Sequence, residues 1–408
     1  MTSVLIIGAG LTGLFAANLA AERQAEVTLV TEGRGGLELS HGCIDVLARG
    51  TTPASLHKLP ASHPYSLTGA ASLQAGLTAF LRLVADGGLP YVGTLAETLL
   101  LPTAVGGVHP TTCAQVSLAT GDLRRPQAIA LAGFACFRDF SAELAASGLR
   151  AQGYQVTSAL SLDLPGAQGQ RDLYATDIGR RFDDPVWRRE ACRIWKPRLP
   201  SAPRLGLPAV LGLARPTEVH EDIQHRLGVE VFEIPTLPPS LPGVRLERLL
   251  RLAAQARGVH IVEGARALGE TDRQGARPRA TGALAASAGG PRRFSADRVI
   301  LATGGSLHGG LVFHPDGRIE EPVFDLPVHH AQSRESWAAA SPFAPQPYST
   351  LGVQVGSDMR PVGRDGQILF DNLFAAGGLL AGADRASEGA RQGIDLASAY
   401  RAVEEALA

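Results

Sequence analysis

Three residues in this chain are of types that move protons or hold anions, in stretches where an active side chain is expected. His41 lies in Ser40-His41-Gly42-Cys43-Ile44-Asp45-Val46-Leu47, and His63 opens His63-Pro64-Tyr65-Ser66-Leu67. Imidazole changes charge near neutral pH, so either ring can take a proton from a reacting hydroxyl. Arg245 follows a run from Ile234 containing four prolines, which cannot be regular helix or central strand, and it opens the next helical stretch. A guanidinium there, backed by a helix N-terminus, suits a phosphate. His308 is a further candidate base and Arg360 a further phosphate ligand, while Asp45 and Asp384 could hold hydroxyl groups. Each has a plainer competing reading, a surface or core histidine or a structural salt bridge. His329 and His330 are adjacent, so in an extended chain they point to opposite sides and do not make a metal pair.

The stretch that must position such groups is the N-terminus. Val4-Leu5-Ile6-Ile7 reads as a strand, Gly8-Ala9-Gly10-Leu11-Thr12-Gly13 as a glycine turn, Leu14–Ala21 as a helix and Val27–Val30 as a second strand. In this order Gly8 allows the tight turn, Gly10 lets a phosphate approach the backbone, and Gly13 lets the helix pack on the strand. Leu11 and Thr12 would then lie at the anion-binding helix end. Dinucleotide folds usually put an acid at the tip of the second strand to hold a ribose. Here that position falls on Thr31, with Glu32 one residue late.

At 408 residues the chain exceeds one typical core, which predicts two domains. The expected division is a discontinuous binding domain, 1–100 with 231–408, and an inserted α/β domain at 101–230. A formal net charge of −1 offers no surface for nucleic acid. Cys43, Cys113, Cys136 and Cys192 are widely spaced with no CxxC, so no metal site is expected: an iron–sulfur cluster or zinc knuckle needs closer pairs. The glycine-broken N-terminus lacks a basic leader and does not read as a signal peptide, and no uninterrupted apolar segment approaches the roughly 18 residues of a spanning helix. Helices are expected near Tyr174–Phe182 and Pro185–Ile194, and Asp272–Arg293, rich in Gly, Ala and Arg, reads as an elaborated hairpin tip.

Two later pieces complete a pattern: Val299-Ile300-Leu301-Ala302-Thr303-Gly304-Gly305, and Asn372-Leu373-Phe374-Ala375-Ala376-Gly377-Gly378 ahead of a C-terminal helix. With the opening turn they resemble the two-dinucleotide-binding-domain flavoproteins, the fold of fumarate reductase relatives. That resemblance implies an α/β, FAD/NAD(P)-binding Rossmann-like fold with an inserted α+β cap. It further implies that Ala302, Thr303, Gly304 and Gly377 lie along the flavin, as do Ser40 and Gly42 in the loop past the second strand. Gly389 and Gly393 would sit where a helix N-terminus stabilises charge on the reduced ring.

Ser40–Leu47, the HPYSL segment, Pro235-Thr236-Leu237-Pro238-Pro239-Ser240, Gly309-Gly310-Leu311-Val312, Phe343-Ala344-Pro345-Gln346-Pro347 and Arg360-Pro361 narrow the match. In that order they resemble the anaerobic glycerol-3-phosphate dehydrogenase B-subunit family from end to end. That implies a flavoprotein carrying FMN, with FAD as the alternative. Its implied partners are an FAD-bearing catalytic A-subunit, together with an iron–sulfur, membrane-anchoring C-subunit. The implied reaction takes sn-glycerol 3-phosphate to dihydroxyacetone phosphate, with electrons passed to membrane quinone in glycerol catabolism. The implied place is the cytoplasm, held at the inner face of the membrane through a partner. Two alternatives stay open: a non-catalytic electron-relay or scaffold subunit, and a standalone FAD-dependent dehydrogenase of another substrate.

Overall fold

The computed structural model describes residues 1–48, 50, 53–167, 169–170, 172–286, 288–330 and 334–408. In chain order its main elements are β1 (Ser3–Ile7), α1 (Leu11–Glu22), β2 (Glu26–Thr31), α2 (Pro64–Asp86), β3 (Leu99–Pro102), β4 (Val108–Thr111), β5 (Ile129–Phe134) and α3 (Ala142–Ala151). There follow β6 (Val156–Leu162), β7 (Arg204–Pro208), α4 (Pro216–Leu227), β8 (Glu230–Ile234), α5 (Leu241–Ala256), β9 (His260–Glu263), β10 (Arg298–Leu301), β11 (Leu373–Ala375) and α6 (Arg391–Leu407). They form two compact units. One holds 1–36, 46–80 and 250–408, and the other 37–45 and 81–249.

The first unit is built on a five-stranded sheet in the order β9-β2-β1-β10-β11, every neighbour parallel. β1 reads as a continuous apolar run because a parallel sheet is covered on both faces; Val4 to Ile7 are all buried. Helix α1 is apolar on every side and buried from Leu11 to Ala20, the pattern of an internal helix. Phe15 on it meets Phe80 edge-on at 6.2 Å between ring centroids. The expected hairpin tip at Asp272–Arg293 is instead most of a three-stranded antiparallel sheet, Arg266–Asp272, Arg279–Ala286 and Arg292–Ser295. Ala280, Ala283 and Ala285 are buried, an inward face too small and too interrupted to show as an apolar period.

The second unit carries a four-stranded sheet, β8-β7-β5-β6, which is parallel throughout. The insert is therefore of α/β rather than α+β character around that sheet. Two helices, Ala175–Asp183 and Pro185–Trp195, lie between β6 and β7, within a residue of expectation. Trp195, fully buried, stacks on Phe134 at 5.5 Å and donates its indole N–H to the Asp163 carbonyl.

The expected boundaries at 100/101 and 230/231 are displaced. Helices α2 and α5 run through the junctions, so the division falls inside each helix and not at a change of composition. Residues 37–45 join the second unit because Ile44 pairs with Cys113 and Gly42 packs on Pro242. Helix α2 also amends the expectation about spanning segments, since by length and apolarity it could cross a membrane. It breaks at Gly69, φ +75°, and buries Leu73, Leu77, Phe80, Leu83 and Val84, as a core helix does.

Candidate functional site

The glycine turn between β1 and α1 gives its three glycines different work. A Cβ on Gly8, whose φ is +111°, would lie 2.2 Å from the Ala302 carbonyl oxygen, and one on Gly13 would lie 1.8 Å from the Gly8 oxygen. Those two positions are closed by packing. A Cβ on Gly10 would meet nothing within 4 Å among the described residues. Gly10 is also the N-cap of α1 and offers no side-chain cap, so the first-turn N–H groups beside Leu11 face that open side. Thr303, just past β10, has a buried hydroxyl with no hydrogen-bond partner among the described residues. An open anion-binding helix end and an orphaned hydroxyl fit a bound phosphate-bearing cofactor.

Around this cradle several expected contacts turn inward. Thr12 donates its hydroxyl to Asp395 Oδ1 at 2.9 Å, and Arg385 donates to the same oxygen at 2.6 Å. Burial pushes the Asp395 carboxyl up, against the opposing pull of Arg385 and Thr12. A Cβ on Gly377, φ +72°, would strike the Thr12 hydroxyl at 2.1 Å, and one on Gly304 would strike His308. These glycines serve close packing of the cradle wall. His308 is exposed; partial desolvation lowers its pKa, Asp395 raises it, and Arg385 and Arg391 lower it further. Thr31 is buried and donates its hydroxyl to the Gly33 carbonyl, while Glu32 is exposed. Gly35, in the turn just past β2, runs against the cradle: a Cβ there would lie 2.8 Å from Gly10 Cα.

Gly389 and Gly393, at the start of α6, are fixed by packing. A Cβ on Gly389 would lie 2.8 Å from that of Ala48, and one on Gly393 would lie 2.1 Å from the Tyr65 hydroxyl oxygen. Tyr65 in turn donates to the Val46 carbonyl at 2.8 Å. Close packing therefore requires glycine at both positions and lets the start of α6 lie against Val46 and Tyr65.

His63 is likewise reassigned. It is wholly buried; its Nδ1 accepts the Tyr65 N–H at 3.0 Å, and its Nε2 lies 2.9 Å from Glu388 Oε2. The backbone donor leaves the ring proton on Nε2, directed at the carboxylate. His63 thus caps the start of α2, and neither nitrogen is left to act as a base.

Arg245 does not hold a phosphate. It is 2% exposed, with Nε donating to the Gly212 carbonyl at 2.7 Å and its two terminal nitrogens reaching the Glu233 carboxylate at 2.6 and 3.0 Å. Glu233 also accepts from Ser117 and from the Leu211 N–H. Burial alone would raise the Glu233 carboxyl, but Arg245 and these donors hold it below the usual glutamate range. Helix α5 begins at Leu241, four residues before the expected start, because Pro242 is tolerated in a first turn; Arg245 is thereby turned into the core. Arg360 is paired with Asp358 at 2.6 Å.

In the 40–47 loop, Ser40 donates its hydroxyl to the Leu37 carbonyl and accepts the Gly42 N–H. Gly42, φ +73°, would place a Cβ 2.7 Å from Pro242 Cβ, and its carbonyl accepts the Tyr91 hydroxyl at 2.6 Å. Both residues shape the loop with their polar groups turned inward, which replaces the expected flavin contacts. What the loop presents is His41 and Asp45. Asp45 is buried, with Oδ2 3.3 Å from His41 Nε2 and Oδ1 3.0 Å from His109 Nε2. The two rings lie 4.4 Å apart, and each is about one-third exposed. Burial would raise the Asp45 carboxyl, yet the hydrogen bonds from His109 and His41 outweigh it and hold it well below the ordinary aspartate range.

His109, on β4, was not singled out in the sequence, and no local signal marks it: its partner is 64 residues away. The three donor atoms lie within 4.8 Å of one another, a spacing a cation could use. His41 Nδ1, however, accepts the Cys43 backbone N–H at 3.1 Å. That leaves the proton on Nε2, the nitrogen that would have to be bare to bind a metal.

Residues 3–394 match the family model described as FAD binding domain. A Halobacterium salinarum protein, named as a probable B-subunit of anaerobic glycerol-3-phosphate dehydrogenase, is 32% identical over 98% of this chain and 96% of its own. The Yersinia pestis B-subunit of anaerobic glycerol-3-phosphate dehydrogenase is also 32% identical, over 99% of this chain and 97% of its own. Among solved structures, a 3-ketosteroid delta1-dehydrogenase from Sterolibacterium denitrificans superposes over 99% of both chains with a TM-score of 0.47 at 11% identity. The parallel sheet, the glycine cradle and the full-length matches agree: this chain is a flavin-binding oxidoreductase-type protein that belongs to the anaerobic glycerol-3-phosphate dehydrogenase B-subunit family.

Proposed function

We propose that the chain is the flavin subunit of a complex that oxidises sn-glycerol 3-phosphate to dihydroxyacetone phosphate and delivers the electrons to membrane quinone. The observation that carries this reading is 32% identity to B-subunit relatives along nearly the whole of both chains. The cradle supports it. The turn from Gly8 to Gly13 and the N-terminus of α1 would hold the cofactor phosphate at the open face of Gly10, with Thr303 Oγ1 turned to a polar group. When bound, the flavin supplies the acceptor for a hydride from the alcohol carbon. What remains for the chain is to bind the substrate, orient its carbinol and take the hydroxyl proton.

The cofactor we propose is FMN, with FAD the alternative that the family model names. Support comes from Thr31, whose hydroxyl is occupied by the Gly33 carbonyl where a ribose-holding acid is usual. Heat release and identification of the cofactor decides between them. The partners in this reading are an FAD-bearing catalytic protein and an iron–sulfur protein that anchors the complex to the membrane, with this chain on the cytoplasmic side.

A second reading, an electron relay that never touches substrate, is favoured by the burial of Arg245 and His63, which removes two candidate catalytic groups. The flavin-loaded chain is mixed with glycerol 3-phosphate, first by itself and then with the FAD-bearing partner. Bleaching of the chain by itself eliminates the relay, and bleaching only with that partner eliminates catalysis by this chain.

A further inference from the structure

We infer that a cavity in the first unit, whose lining shares no residue with the glycine cradle, binds a small phosphomonoester, with Arg364 and His329 as the groups that hold its phosphate. The choice of glycerol 3-phosphate as that ligand rests on the proposed alcohol oxidation; the anion-binding chemistry does not.

The cavity measures about 440 Å³, within the range of about 300–1,000 Å³ usual for small-molecule sites. Its polar lining includes Arg364, His329, Gln354 and Ser62, and Val355 and Val362 add apolar surface. Among the described residues no carboxylate lines it. Close packing builds its walls. The Gly382 N–H donates to the Thr350 carbonyl and the Ala381 N–H to the Val353 carbonyl, each at 3.0 Å. A Cβ on Gly382, φ +97°, would lie 2.5 Å from the Ser62 carbonyl oxygen. Ser62 and the 350–355 segment are thereby held at a fixed spacing, so the cavity is formed before any ligand enters.

The cation is delivered by a turn. Val355 pairs with Pro361 and Val362 with Ile368, which folds this segment back on itself. The turn from Gly363 to Gly366 closes through the Gly366 N–H on the Gly363 carbonyl at 3.0 Å, with Gly366 at φ +77°. Arg364, its second residue, lines the cavity and remains exposed. Other arginines of this unit are paired: Arg360 with Asp358, Arg385 with Asp395 and Arg401 with Glu405, each at 2.6 Å. Among the described residues the Arg364 side chain has no such partner. The adjacent Asp365 accepts the Gln367 N–H at 3.1 Å. A free guanidinium presents paired N–H donors that match two oxygens of a phosphate.

His329 comes from the short strand Val328–His329, paired with Gly352–Val353. Alternation buries Val328 and leaves His329 exposed on the cavity side, while the ring of His330 lies 6.3 Å from that of Trp337. An imidazole in either charge state offers an N–H to a phosphate oxygen, and Gln354 and Ser62 offer donors and acceptors to the hydroxyl groups of a short polyol chain.

The test uses the flavin-loaded full chain, so that the cradle is occupied and cannot take up the probe. Calorimetric titration with sn-glycerol 3-phosphate and with inorganic phosphate should show the two competing for one site, and glycerol should not bind at the same concentrations. Arg364→Ala is expected to raise the dissociation constant for glycerol 3-phosphate by about 10–100-fold, the loss of hydrogen bonds to a charged group, with flavin content unchanged. Arg364→Lys should fall between, since it keeps the charge without the fork. His329→Gln should raise the constant by about 2–10-fold. Arg360→Gln removes a guanidinium of the same segment that is already paired, and should change it by less than about threefold.

An Arg364→Ala constant within about threefold of wild type, or wild type that binds glycerol as well as glycerol 3-phosphate or binds neither, overturns the inference. Bleaching by glycerol 3-phosphate with the partner proteins then judges the dehydrogenase reading separately. If the wild type binds glycerol 3-phosphate with the expected Arg364 dependence and yet never bleaches, that reading has failed and the phosphomonoester site stands.

Discussion

Replacing Arg245 by alanine separates a core ion pair from a substrate clamp. The side chain is 2% exposed and Glu233 1% exposed, so the substitution would leave a carboxylate in a site with almost no water. It removes two charge-assisted bonds to Glu233, at 2.6 and 3.0 Å, and one to the Gly212 carbonyl at 2.7 Å. Ser117 and the Leu211 N–H remain as donors, each at 2.7 Å, and soften the loss. Breaking one side of a buried pair costs about 3–5 kcal/mol, far above the ~1 kcal/mol of an exposed pair. Chemical denaturation of the flavin-loaded variant should show that fall, and Arg245→Met with Glu233→Leu should recover much of it, since no charge is then stranded. The pH dependence follows from the direction of the Glu233 shift. Its carboxyl lies below its ordinary range when folded, so its contribution is present above the unfolded value and is lost as pH falls through the folded one. In Arg245→Ala the buried carboxyl favours its protonated form, so that acid-side dependence should shrink or reverse. A stability loss under ~1 kcal/mol together with a raised Michaelis constant for glycerol 3-phosphate would refute the argument and restore Arg245 as a phosphate ligand.

Other outcomes follow from the same geometry. Gly10→Val should yield folded, colourless protein, because its side chain fills the open space at the helix end; retained flavin absorbance would contradict that placement. Gly13→Ala should instead lower stability by about 1–3 kcal/mol, since its Cβ would press on the Gly8 carbonyl, and thermal melts compare the two directly. His63→Ala should lower the melting temperature through loss of a helix cap worth roughly 0.5–2 kcal/mol, with the pH–rate profile unchanged; loss of a titrating limb would reinstate it as a base. All four cysteines are buried with thiol pKa values pushed up, so a thiol reagent at pH 8 should label none until denaturant is added.

Much of the fold was legible because its signals are local. Gly8 and Gly13 are required by backbone contacts within a few residues or in the adjacent strand, and the apolar run of β1 reports a sheet covered on both faces. The three-stranded sheet from Arg266 to Ser295 was missed because alanine and glycine give a weak alternation, and strand pairing supplied what the pattern lacked.

By itself the sequence determined the glycine turn between β1 and α1, the order of the parallel strands' motifs and the family, since each depends on neighbours in the chain or on collinear segments. It did not determine which candidate side chains face solvent. Arg245 and His63 are the right residue types in suggestive places, yet helix α5 turns one into a buried carboxylate and α2 takes the other as its cap. His109 carries no local mark and acquires its character only when the β3–β4 hairpin brings it to Asp45. A proton's position on an imidazole is decided by the partner of the other nitrogen, and that partner is supplied by tertiary contact.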